Sequence, residues 1–200
     1  MSKSDMLALL IPASFIGILA ISFIYTRPGP TSQIHSVSAE SVKTVDPPTT
    51  SVPSSDGLKK LVLTTLNDGT PEVSYTLKVQ DTTTGQEAEV YRSTLFPGST
   101  IVLPLNSWSN DNSKFFIEIH NSSDIQYLVF NANGSAFKNG SQFLDISDLW
   151  QKTKINKKIK TLTGWADKDL IIVYTKNPDG ADGPSYWFVV SSRTFLQLNS

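Results

Sequence analysis

The densest chemistry-bearing feature of the sequence is a run of lysines. Lys152, Lys154, Lys157, Lys158 and Lys160 place five ammonium groups within nine residues. Cations at that density attract an anionic polymer, lipid headgroups or an acidic partner. They also suit a solvated connector between two sheets. A second feature is aromatic: Tyr186-Trp187, with Trp165 and Trp150. Exposed, these rings would make a sugar- or protein-binding face; along a strand, alternation turns one of Tyr186 and Trp187 inward. His120-Asn-Ser-Ser-Asp124 contains the residue types of a serine triad. Residues so close along one turn cannot converge, because triads assemble from separate elements. Asn177-Pro-Asp-Gly-Ala-Asp-Gly183 offers oxygen ligands but lacks the spacing and closing acid of a helix-flanked calcium loop. Gly134 to Ser141 lacks the Gly-Lys-Ser/Thr ending of a phosphate loop. No catalytic residue, metal ligand or cofactor site is expected. Paired carboxylates for glycoside hydrolysis would be brought together by the fold, and no segment points to them.

Composition narrows the chemistry further. The 200 residues include no cysteine, which excludes disulfides, a thiol nucleophile and Cys-ligated zinc. Only two histidines are present, and the net charge is −1. Residues 58–200 hold 14 basic and 14 acidic side chains, so no field steers a nucleic acid.

The elements that must position these residues fall in three parts. Met6 to Thr26 carries no charge. Twenty helical residues rise about 30 Å, the thickness of a bilayer's hydrocarbon core. Residues 1–27 are therefore expected to form an uncleaved transmembrane anchor; a cleaved signal peptide, with Ala20-Ile21-Ser22 as its cleavage site, and a buried soluble helix, which would show polar residues at intervals, compete with it. Lys3 before the span points to the amino terminus inside. Residues 28–57 hold 5 prolines and 11 serines or threonines and no aromatic, and are expected to be a disordered linker. Residues 58–200 are expected to be the folded, extracytoplasmic domain.

That domain reads as strands. Val73-Ser-Tyr-Thr-Leu-Lys-Val79 alternates and puts Val73, Tyr75, Leu77 and Val79 on one face. Further strands are expected over Leu61–Leu66, Ala88–Arg92 and Thr100–Leu103. Lys114–Ile119 with Gln126–Phe130 should form a hairpin, and so should Asp169–Thr175 with Tyr186–Val190. Arg193–Leu198 closes the chain as a strand. Asp145 can cap a short helix through Gln151.

Two of the hairpins are introduced alike. Trp108-Ser-Asn-Asp-Asn precedes one and Trp165-Ala-Asp-Lys-Asp precedes the other, 57 residues later. A strand–turn–strand unit at fixed period is the signature of propeller blades. The first copy resembles the tricorn/TolB-type propeller repeat, whose blades carry Trp-Ser-Pro-Asp-Gly before a hydrophobic strand. Trp108, Ser109 and Asp111 match, while Asn110 and Asn112 replace the proline and glycine. The second copy keeps Trp165 and Asp167. The resemblance implies an architectural role: the Trp packs between strands and the Asp fixes the turn. It does not select a function.

The expected fold is all-β: antiparallel blade-like sheets in an incomplete propeller, or a β-sandwich, after one transmembrane helix. The expected role is non-enzymatic, a single-pass cell-envelope protein with a binding or structural domain. Its partner would be another envelope protein or an anionic polymer, with no nucleic acid. The rival classes are a carboxylate-based hydrolase of envelope polymer and the anchor subunit of a membrane complex.

Overall fold

The computed structural model describes residues 46–199. They form three four-stranded antiparallel sheets, each in simple chain order, and none closes into a barrel. The first sheet is β1 (Thr49–Pro53), β2 (Lys59–Leu66), β3 (Val73–Asp81) and β4 (Glu87–Leu95). The second is β5 (Thr100–Val102), β6 (Lys114–His120), β7 (Ile125–Asn131) and β8 (Leu144–Asp145). Helix α1 (Ile146–Lys152) leads to the third: β9 (Lys158–Asp167), β10 (Leu170–Lys176), β11 (Tyr186–Val189) and β12 (Thr194–Gln197). Asp145 caps the helix as its residue type requires, accepting the Asp148 amide at 3.0 Å.

The second sheet lies between the other two, and its sequence says why. Phe115, Ile117 and Ile119 on β6, with Leu128 and Phe130 on β7, join Leu61, Leu77 and Val79 of the first sheet in one core. Phe116, Tyr127 and Val129 point the other way and join Ile171, Val173 and Phe188 of the third sheet in another. A sheet buried on both faces needs apolar residues at successive positions, hence Phe115-Phe116-Ile117 and Tyr127-Leu-Val-Phe130. The first sheet has one dry face, and β3 alternates accordingly: Tyr75, Leu77 and Val79 are buried and their neighbours are not.

The linker was expected to run to Gly57, but Thr49–Pro53 is a strand paired along its length with β2. Val52 is 3% exposed and Ser54 is 5% exposed. The folded domain therefore begins before Leu58. The expected anchor, and the linker as far as residue 45, lie outside the described residues. Among the described residues, no helix is long and apolar enough to cross a membrane.

Candidate functional site

The tryptophan turns organise the sheets. Ser109 closes its turn twice: its amide donates to the Lys114 carbonyl at 2.9 Å, and its hydroxyl accepts the Lys114 amide at 2.9 Å. The Asp111 carboxylate accepts from the Ser109 hydroxyl at 2.8 Å and the Ser113 amide at 3.1 Å. Partial burial raises the Asp111 pKa, but the Ser109 and Ser113 bonds outweigh it and hold the carboxyl below the usual aspartate value. Asn112 takes a left-handed backbone, φ 53°, where the resembled motif carries glycine.

The same turn occurs once more, in residues read as linker. Ser54 bonds Lys59 through its amide at 2.8 Å and its hydroxyl at 3.0 Å. Asp56 accepts the Ser54 hydroxyl at 2.6 Å and the Leu58 amide at 3.0 Å, and Gly57 has φ 72°. Pro53-Ser-Ser-Asp-Gly57 and Trp108-Ser-Asn-Asp-Asn112 are thus one motif, with Pro53 in the tryptophan position. The third turn, after Trp165, is a residue shorter, and Asp167 accepts only the neighbouring Lys168 amide, at 2.7 Å. In register, Pro53 pairs with Lys60, Trp108 with Phe115, and Trp165 with Ile171.

Each indole fastens its sheet to the one before. Trp108, 7% exposed, donates to the Val52 carbonyl at 3.2 Å. Trp165 is half-buried and donates to the Ser107 carbonyl at 2.7 Å. Val52 and Ser107 are the residues just before the equivalent turns, so the two bonds are the same bond one repeat apart. Lysines reach the opposite way: Lys59 Nζ donates to the Asn112 carbonyl and Lys114 Nζ to the Lys168 carbonyl, at 3.4 and 3.3 Å.

At the far end of the second and third sheets, a groove of about 490 Å³ opens between β7, α1 and the start of β9. The half-buried Ile125 and Ile159 and the edges of the buried Tyr127 and Trp150 make its apolar lining, and Lys157, Lys158, Lys160 and Asp124 its charged lining. Trp150 is fixed by an N–H bond to the Lys157 carbonyl at 2.9 Å and by edge contacts to Tyr186 and Phe195, both at 4.9 Å. Burial first, and the nearby Glu118 charge second, push the Tyr127 hydroxyl up to about 12, so its phenol stays neutral.

The five lysines are divided by the fold. Three line the groove, while Lys152 and Lys154 lie outside it. Lys152 pairs with Asp148 and Lys160 with Asp182, each at 2.6 Å. Among the described residues no such pair holds Lys157 or Lys158. The apolar lining was not legible beside them, because Tyr127 lies 30 residues before Lys157 in another sheet. Of the four aromatics singled out, Trp150 and Tyr186 are buried and Trp165 half-buried in the second core; only Trp187 turns to the outer face of the third sheet.

The other polar motifs serve turns. His120 contacts Glu118 at 2.6 Å, while Asn121 bonds Asp124. In the 177–183 loop, Asp179 accepts the Ala181 amide and Asp182 binds Lys160. Among the described residues, no three His, Asp or Glu side chains converge as a metal site would need. No family model matches the sequence, and no curated protein matches it either.

Proposed function

We propose that the chain is a single-pass, membrane-anchored protein of the cell envelope whose β domain, outside the cytoplasm, binds an anionic polymer without transforming it. The observation that carries this reading is the groove: Lys157 and Lys158, without an ion-pair partner among the described residues, beside the half-buried Ile125 and Ile159. Cations supply long-range attraction; Ile125 and Ile159, half-buried in the groove, supply the apolar contact, while Tyr127 and Trp150 are buried beneath and hold its shape. An anionic polysaccharide satisfies both. The uncharged stretch Met6–Thr26 supports the anchor.

The sheet order supports an incomplete propeller over a sandwich. Three meanders packed face to face, tied by the same turn and the same tryptophan bond, are what blades require.

The experiment is a titration of the full chain, in detergent, with polygalacturonate. Binding should weaken steeply as salt rises. Replacing both Lys157 and Lys158 by Glu should weaken it by about tenfold or more, with the circular dichroism unchanged. Binding that ignores both salt and these substitutions would overturn the reading. Protease added to intact cells should also remove the domain; complete protection would overturn its placement outside.

A further inference from the structure

The repeat register makes the faces of the three sheets comparable. Leu61, Phe116 and Ile172 each follow the residue opposite the turn position. Their partners on the next strand are Val79, Val129 and Trp187. In the first two sheets this face is covered by the following sheet: Leu61, Phe116 and Val129 are 0% exposed and Val79 is 7%. In the third sheet the equivalent Ile172 and Trp187 are only half-buried. The row continues to Leu196, which pairs with Trp187 and is 52% exposed, and Tyr174 beside it is 42% exposed.

The opposite end of the molecule is finished differently. The outer face of the first sheet is mainly polar: it carries Lys60, Thr76, Lys78 and Thr94 around Val62 and the 55% exposed Leu66, with ion pairs Lys78–Glu87 at 2.8 Å and Arg92–Glu89 at 2.6 Å. Repeat stacks end in polar faces of this kind. One outer face is therefore a cap and the other has the apolar character of a face that is packed.

We propose that the outer face of the third sheet, centred on Ile172, Trp187 and Leu196, binds the same face of a second copy of this chain. Head-to-tail stacking would press apolar side chains on the charged face of the first sheet and strip its ion pairs of water, at a cost nothing there repays. Face-to-face pairing sets apolar against apolar, continues the packing already made twice within the chain, and closes with two-fold symmetry. Strands β9 to β12, about 33, 23, 13 and 13 Å long and about 4.8 Å apart, present roughly 400 Å² per copy, or roughly 800 Å² for the pair. That is below the size of a permanent interface, so the dimer is weak and reversible.

The chain has no cysteine, so Asn199→Cys gives one labelling site. Donor- and acceptor-labelled full chains are mixed in detergent micelles and energy transfer is followed on dilution. Transfer should rise with protein concentration. Trp187→Lys and Leu196→Glu should each weaken association at least about tenfold, and Thr76→Lys, on the capped face, should leave it unchanged. If Trp187→Lys loses its fold, Leu196→Glu decides, because that side chain is already more than half exposed. Absent transfer, transfer unaffected by the folded variants, or transfer lost in Thr76→Lys would each overturn the proposal.

Discussion

Replacing the tryptophans tests whether the sheets are held by their indoles. Trp108 is 7% exposed, its ring centroid lies 5.5 Å from that of Phe115, and its N–H reaches back to Val52. Truncation to alanine removes a buried bicyclic ring and leaves a cavity, which costs about 3–5 kcal/mol. Trp108→Phe keeps most of the volume and drops the N–H, leaving the Val52 carbonyl without that donor; this costs about 1–2 kcal/mol. Trp165 is half-buried. Its alanine variant should therefore cost about 2 kcal/mol, part of it from the bond to Ser107. The assay is urea unfolding of the compact unit Thr44–Ser200, followed by circular dichroism. Domains of this size hold about 5–15 kcal/mol, so the Trp108 loss moves the midpoint far. Because that indole joins the first sheet to the second, Trp108→Ala should also broaden or split the transition. A Trp108→Ala protein within about 1 kcal/mol of the parent would refute the reasoning.

Two further outcomes follow from the first repeat and its turn. A chain beginning at Leu58 loses β1, the buried Val52 and the acceptor of the Trp108 bond, and should be at least about 3 kcal/mol less stable than one beginning at Thr44; equal urea midpoints would contradict this. Asp56 and Asp111 both have pKa values held below the ordinary 3.8 by hydroxyl and amide bonds. The folded state then binds fewer protons than the unfolded one, so this stabilisation is present above about pH 4 and is lost as pH falls through the lowered values. Unfolding midpoints measured from neutral pH to about pH 2 should fall on that acid limb, and the double variant Asp56→Asn, Asp111→Asn should make it shallower, the rest coming from Asp68, Asp81, Glu89 and Asp182, which are also held low.

Where a residue's own pattern matched its burial, the strand was readable. Val73 to Val79 alternates because one face is dry, and Phe115 to Ile117 does not because both are. β1 was missed for the same reason in reverse. Only Val52 of its five residues is buried, and the rest are Thr, Ser and Pro at a sheet edge, which in composition is indistinguishable from a linker. Its turn, Ser54 to Gly57, keeps the serine, aspartate and glycine of the resembled motif but has proline where the tryptophan would flag it. Trp165 and Asp167 match Trp108 and Asp111 in residue type and in their place before a hairpin. The tryptophans do hold equivalent register positions, whereas the shorter third turn leaves Asp167 without the second amide that Asp111 accepts. The lysines were visible as a run, but only packing of α1 against β7 decides which of them share an apolar lining.

The groove is tested most directly by its own indole. The chain has four tryptophans, and their ¹H–¹⁵N side-chain signals are separately assignable by single substitution. Only Trp150 lines the groove; Trp108 and Trp165 lie at the turns, and Trp187 on the outer face of the third sheet. Titrating the labelled protein with polygalacturonate should shift the Trp150 signal saturably, with Trp108, Trp165 and Trp187 unmoved. An unmoved Trp150 signal under saturating polymer, or a shift confined to another indole, would contradict the account.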